Sequence, residues 1–386
     1  MPVVNRIADF ADDMKEWRQW MHRHPELMFD CHQTAAFVVD RLKEFGITEI
    51  HEGIATSGVI AIIQGQGDGP TIGLRADMDA LDIEEQTDLP FKSTVKGKMH
   101  ACGHDGHTTM LLGAARYLAE TRRFKGRVAL IFQPAEEGGG GADVMIKEGV
   151  LEQFDISQVY ALHNRPNLPA GAFQTRAGAI MAAADEFTFT LSGVGGHGAE
   201  PETAKDPVIA AVALVQAIQT ISSRNAYFGD DLVISVTQIH AGTTNNVIPE
   251  GSWINGTVRT LDKKVQAMVV HRMEQIAAGV GAAYDVNIVL DYKYGYPATH
   301  NHAERTDFAI EVAREVAGDA GVILKEHSGM GAEDFSYMLE KRPGCYLYLG
   351  QGDGAPWHHP DFDFNDEVAP IGASFFARVV ERASPL

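Results

Sequence analysis

The chain has 386 residues, 45% hydrophobic and 22% charged, with 32 basic against 52 acidic side chains and a formal charge of -20. That length suits two domains, and the composition is that of an ordinary globular protein. The acidic balance argues against nucleic acid or an anionic membrane surface as the main partner, and no run of 18 apolar residues predicts a membrane span.

The opening MPVVNRIADFADDMKEW carries acidic residues from Asp9 onward and no signal-peptide core. Cys31, Cys102 and Cys345 are too few and too scattered for a disulfide framework. A reducing cytoplasm is the expected compartment. Helices are expected over 4–22 and 33–45, separated at Pro25 in HRHPELMF. His22, His24 and Glu26 in that junction read as structural and stay outside the site. Apolar runs at 58–63 and 71–75 suit buried strands, and the second places Asp77 and Asp79 just past its end.

KMHACGHDGHTTMLLGA (98–114) is the densest chemical stretch. It packs Cys102, His104, Asp105 and His107 ahead of a run in which Met110, Leu111, Ala114, Ala115 and Leu118 recur at helical spacing. Cysteine with histidine is the donor set of a borderline-soft divalent metal. GRVALIFQP (126–134) is a further buried strand running into AEEGGGGA, and ISQVYALHN (156–164) another, with His163 at its end. Strands alternating with helices predict an α/β domain with a mainly parallel sheet.

The pattern changes near residue 180. An alternating strand at 187–191, a helix at 206–224, strands at 232–240 and 252–259, a helix at 261–283 and a strand at 286–292 follow one another. That order, β-α-β-β-α-β, is ferredoxin-like. Residues 181–297 are read as a satellite domain inserted into a catalytic domain of residues 1–180 and 298–386. The α/β pattern then resumes with helices at 303–316 and in GAEDFSYMLE, a strand at 345–349, the loop PWHHPDFDF and a closing helix at 368–383.

Open α/β sheets place ligands beyond the carboxyl ends of their strands. Cys102, His104, Glu136, Glu137, His163, His358 and His359 all fall at such positions. Independent loops thus deliver Cys, His, Glu, His and His to one edge, and five ligands exceed one tetrahedral zinc and suit two metals with one shared donor. A thiolate can bridge two cations and a neutral imidazole cannot easily do so, which makes Cys102 the bridging candidate. Of the paired carboxylates, one can bind metal while the other takes a proton from water.

Together MHACGHDGHTTMLLGAA, FQPAEEGGGGA, LHNRP, GGHGAEP, NNVIPEGSWINGTVRT, GAEDFS and HHPDFDFND resemble, in order and over nearly the whole chain, the peptidase M20 amidohydrolases. The branch is that of the hippurate, N-acyl-amino-acid and auxin-conjugate hydrolases. The resemblance implies a dinuclear-metal catalytic domain with a satellite domain used as lid or for homo-oligomerisation. It implies Cys102, His104, Glu137, His163 and His358 as metal ligands, Glu136 as general base and acid, His197 as oxyanion donor, and Asn246 and Arg259 as substrate contacts. His358, not His359, matches the family histidine of the H-x-P pattern. Asp82, Trp357 and Asn245 depart from the usual family pattern, and Trp357 adjoins a ligand.

The expected activity is hydrolysis of the amide bond of a small N-acyl-L-amino acid, hippurate-like, with two divalent ions (zinc, manganese, cobalt or nickel) per chain. A dipeptidase or exopeptidase of the same superfamily and a non-catalytic metal-dependent binding protein are the alternatives.

Overall fold

The computed structural model describes residues 3–386. The chain forms two compact units. One contains the chain up to Ile180 with His300–His327 and Asp334–Leu386; the other contains Met181–Thr299 and Ser328–Glu333.

The first unit is built on an eight-stranded sheet. Its order is Glu49–Ile54, Gly58–Gln64, Arg127–Gln133, Thr71–Asp77, Ile156–Pro166, Gly344–Gly352, Phe173–Thr175 and Val322–Leu324. The four central strands, from Arg127–Gln133 to Gly344–Gly352, run parallel, and antiparallel pairs flank them. Gly58–Gln64 and Thr71–Asp77 are buried almost throughout, as continuous apolar runs in a sheet covered on both faces should be. The fold class is therefore the α/β one expected.

The helix His104–Thr121 lies at the centre of this unit. Its residues from His104 to Ala115 are all buried, not only the stripe of Met110, Leu111, Ala114 and Leu118. Such a helix is enclosed on every side. Close neighbours require small residues on it: a Cβ on Gly106 would stand 2.3 Å from the Phe364 ring. The expected helix over 4–22 is in fact two, Asn5–Ala8 and Ala11–Arg23. The strand Glu49–Ile54 was not legible, because EIHEGI lies at a sheet edge and has no buried residue. Ile156–Pro166 continues past His163 because its backbone pairs with Gly344–Gly352 as far as Pro166.

The second unit is a four-stranded antiparallel sheet in the order Leu232–Ala241, Gly251–Thr260, Ala183–Ser192, Asn287–Tyr296. Helices Pro207–Thr220 and Lys263–Tyr284 pack on one face. Alternate strand residues (Phe187, Phe189, Leu191, Ile254, Val258) meet Ala210, Leu214 and Ile218 of the first helix and Val269, Met273 and Ala277 of the second. Asp206 and Asp262 cap these helices by accepting the N–H groups of Val208 and Lys264. The connectivity is ferredoxin-like. Residues 207–225 reach the length and apolarity of a membrane crossing, but Leu214, Ile218 and Ile221 belong to this core.

Beneath the carboxyl end of the first unit's sheet lies a buried ionic network. Arg75 donates to Asp77 (2.7 Å), Asp334 (2.9 Å) and Gln133 (2.9 Å), and Gln133 donates to Asp334. Arg75, Asp77 and Asp334 are each at most 1% exposed. Removing the one cation leaves two buried carboxylates without it. Arg75→Met is expected to cost about 3–5 kcal/mol, read as a lowered denaturant midpoint; an unchanged midpoint would contradict the role given to the network.

Candidate metal centre

Four separate backbone devices bring the donors together. Gly103, between Cys102 and His104, adopts φ 98°, and a Cβ there would meet Asn164 Oδ1 at 2.4 Å. Glycine is thus required to turn the chain from Cys102 into the helix that begins at His104. Glu136 and Glu137 follow strand Arg127–Gln133 through Ala135, itself at φ 56°. His163 lies within strand Ile156–Pro166. His358 takes φ 62°, and its N–H donates to the Ala101 carbonyl at 2.8 Å, which ties its loop to the residue before Cys102.

Cys102, His104 and His163 offer donor atoms within 4.8 Å of one another, and so do Cys102, Glu137 and His358. The two groups share Cys102. A third group joins His104, Glu136 and Glu137. Cys102 Sγ stands 3.4 Å from His163 Nε2, and His358 Nε2 stands 3.2 Å from Glu137 Oε1. His359 belongs to none of these groups, and its Nδ1 accepts the N–H of Asp361.

The surroundings orient these donors through residues whose roles the sequence left open or did not mark. His163 Nδ1 donates to the Asn164 carbonyl at 2.7 Å, which leaves Nε2 with a free lone pair facing Cys102. Asp79 accepts the backbone N–H of Glu136 on one oxygen and that of Glu137 on the other, each at 3.0 Å. Its Oδ1 also lies 3.4 Å from His104 Nδ1. One buried carboxylate thereby fixes both glutamates and one imidazole. His107 bridges Asp77 (2.6 Å) and Asn164 (2.7 Å). Asp105 faces away to His22 (2.8 Å) and Arg18 (3.8 Å). Only the two-residue spacing of Asp77 and Asp79 past a strand end could have pointed to them.

The electrostatics favour a cation. Burial opposes a charged His104, yet Asp77, Asp79 and Glu137 hold its pKa up at about 10. Burial, together with Glu137, Glu136 and Asp77, pushes the Cys102 thiol well above its ordinary value. Both groups keep protons because the site carries excess negative charge. Burial and the neighbouring His107 drive His163 the other way, well below its ordinary value, so it is a neutral imidazole. His104 Nε2 is buried without a hydrogen-bond partner, an arrangement that is costly unless something else fills it. A thiol, imidazoles and carboxylates with an orphaned atom in an anionic pocket fit a divalent metal.

His197, Asn246 and Arg259 all lie in the second unit. The glycine-rich mount of His197 is more ordered than its composition suggests: Gly196–His197 pairs with Val247–Ile248, and Gly198 N–H donates to the Asn246 carbonyl at 2.8 Å. His197 and Asn246 are thus neighbours. Arg259 is half-buried near the end of strand Gly251–Thr260, donates to Thr257 and to the Val258 carbonyl, and has no carboxylate partner among the described residues. Trp357 stands with its ring 5.2 Å from that of His163, and its Nε1 is buried without a partner.

Asp79→Ala removes the acceptor for two backbone N–H groups and the neighbour of His104. Metal affinity is expected to fall roughly 10–100-fold with the fold intact, measured by competitive chelator titration alongside circular dichroism. Unchanged affinity would remove Asp79 from the support of the site.

The sequence pattern of the family described as Peptidase family M20/M25/M40 matches residues 73–382. The hippurate hydrolase of Campylobacter jejuni is 39% identical over 98% of both chains. The N-acetyl-L-cysteine deacetylase of Bacillus subtilis is 40% identical, covering 93% of this chain and 85% of that protein. The crystal structure of the Bacillus subtilis YXEP protein, described as a dinuclear metal binding peptidase from the M20 family, superposes with a TM-score of 0.87 at 34% identity, over 98% of this chain and 99% of that one. A two-centred donor cluster in an α/β unit and these matches lead to one conclusion: the chain belongs to peptidase family M20/M25/M40 and is a metal-dependent amidohydrolase.

Proposed function

We propose that this amidohydrolase cleaves the amide bond of N-acyl-L-amino acids, hippurate-like substrates among them, and releases a carboxylic acid and a free amino acid. The observation that carries the reading is the pair of donor groups sharing Cys102, with the buried carboxylate of Glu136 beside them. The activities named for the hippurate hydrolase and the N-acetyl-L-cysteine deacetylase support the substrate class.

In this reading Cys102, His104, Glu137, His163 and His358 would hold two divalent ions; zinc, manganese, cobalt and nickel all suit the set. The ions supply a polarised carbonyl and an acidified water. Glu136 takes the proton of the attacking water and hands it to the departing amine nitrogen. Asp79, bonded to the N–H of Glu136, holds that residue in place.

His197 is the proposed donor to the oxygen that becomes an oxyanion. Its Nδ1 accepts the N–H of Ala199 at 3.1 Å, so in the neutral ring the proton sits on Nε2, and Nε2 is the donating atom. Asn246, beside it, is a proposed substrate contact. Arg259 lacks a carboxylate partner and presents a planar fork suited to the substrate carboxylate.

The test is hydrolysis of benzoylglycine, followed by glycine release, with glycylglycine as the contrast. Benzoylglycine turnover is expected to vanish on chelation and return at about two equivalents of metal per chain. Glu136→Gln is expected to keep its metal and lose roughly a hundredfold or more in kcat. Near-normal turnover of that variant with metal bound would overturn the role of Glu136. Preference for glycylglycine would favour the peptidase alternative.

A further inference from the structure

Two donor-bearing segments meet a second time at one buried guanidinium outside the metal centre. Asp105 follows the donor His104 in the first turn of helix His104–Thr121. Asp363 and Asp366 follow the donor His358 on the way to the closing helix Ala369–Ala383. Arg18, in helix Ala11–Arg23, faces all three carboxylates. Its Nε donates to Asp366 Oδ1 at 2.6 Å and its Nη2 to Asp366 Oδ2 at 2.9 Å, while its Nη1 donates to Asp363 Oδ1 at 3.0 Å. The same Nη1 stands 3.8 Å from Asp105 Oδ2. The guanidinium also lies 4.4 Å over the Phe91 ring, and Arg18 is 1% exposed. A planar fork engaged along its edges and on one face has little freedom left.

The three carboxylates depend on Arg18 unequally. Asp105 has a second support, because its Oδ2 is also hydrogen-bonded to His22 Nδ1 at 2.8 Å. Asp366 keeps one neutral donor, Gln19, at 3.0 Å. Among the described residues, Arg18 is the one cation paired with either Asp363 or Asp366. The same loop meets the helix once more at Phe364, whose buried ring fills the space a Cβ on Gly106 would need. The donors themselves are founded unequally too. His104 sits in an enclosed helix and His163 in a central strand, whereas the His358 side chain is 53% exposed and belongs to no helix or strand. Its position rests on how the loop is anchored.

We propose that Arg18 is a positioning residue of the metal centre. By holding Asp363 and Asp366 beside Asp105, it sets the His358 loop against the amino end of the donor helix. The affinity of the ion held by Cys102, Glu137 and His358 then depends on it. This role rests on the reading of Cys102, His104, Glu137, His163 and His358 as the ligands of two ions. An arginine is required there and not merely a cation: a lysine supplies charge at one point, without the bidentate fork that fixes Asp366.

Stepwise titration of the apoprotein with zinc, in competition with a chromophoric chelator, reads the two affinities separately. His358→Ala marks which affinity belongs to the Cys102, Glu137 and His358 group. Arg18→Lys is expected to weaken that same affinity roughly 10–100-fold, as for loss of a partner behind a metal ligand, and to leave the other unchanged. Asp366→Asn alters a less buried side chain, 17% exposed against 1% for Arg18, and keeps its shape. It is expected to weaken the same ion, and it tests the role whether or not Arg18→Lys folds. Combined with Arg18→Lys it should add little, because both act through one contact. In a His358→Ala chain, Arg18→Lys should not affect the remaining ion. A fold merely loosened by the change would release both ions together, and that result overturns the role, as does full affinity for both ions in Arg18→Lys and Asp366→Asn. Two ions in the unaltered chain, one weakened by His358→Ala and neither by Arg18→Lys, would remove Arg18 alone. Fewer than two ions in the unaltered chain, or both affinities intact in His358→Ala, would reject the two-ion reading and the role of Arg18 with it.

Discussion

Four buried or nearly buried carboxylates, Asp77, Asp79, Glu136 and Glu137, lie within 4.0 Å of the one imidazole of His104. Carboxylates removed from water and from one another's counterions are costly, and much of the first unit can be understood as what makes this concentration tolerable. Arg75 pairs with Asp77 from beneath and the His107 ring is hydrogen-bonded to it. Two backbone N–H groups satisfy Asp79. Glu136 and Glu137 face His104, and Glu137 also faces Cys102 and His358. The site is compensated on its far side and left anionic on the side where its donors converge, and a divalent cation is the species such a pocket selects.

The parallel sheet supplies the geometry. Thr71–Asp77, Arg127–Gln133 and Ile156–Pro166 are adjacent strands with a common direction, so their carboxyl ends deliver Asp77, Asp79, the glutamate pair and His163 side by side. The enclosed helix His104–Thr121 sets Cys102 and His104 against them at its amino end. The loop of His358 is pinned through Ala101. Each donor therefore hangs on a rigid element or on a backbone hydrogen bond to one, which is what a preorganised metal site requires.

The sequence by itself determined the element types and the chemical kind of the site. Continuous apolar runs announced the buried strands, and amphipathic patterning announced the helix over 206–224 of the second unit. Cys102, His104, Glu136, Glu137, His163 and His358 could be named because few residue types bind metal and each stood at the end of an apolar run or in a dense polar motif. Tertiary structure alone decided what those runs were adjacent to. That Asp79 holds two glutamates 57 and 58 residues away, or that Arg75 reaches Asp334 across 259 residues, leaves no local signal. The edge strand Glu49–Ile54 escaped notice because an unburied strand needs no apolar pattern. Local pattern records which side a residue must bury; only the packed sheet records which distant residue it then faces.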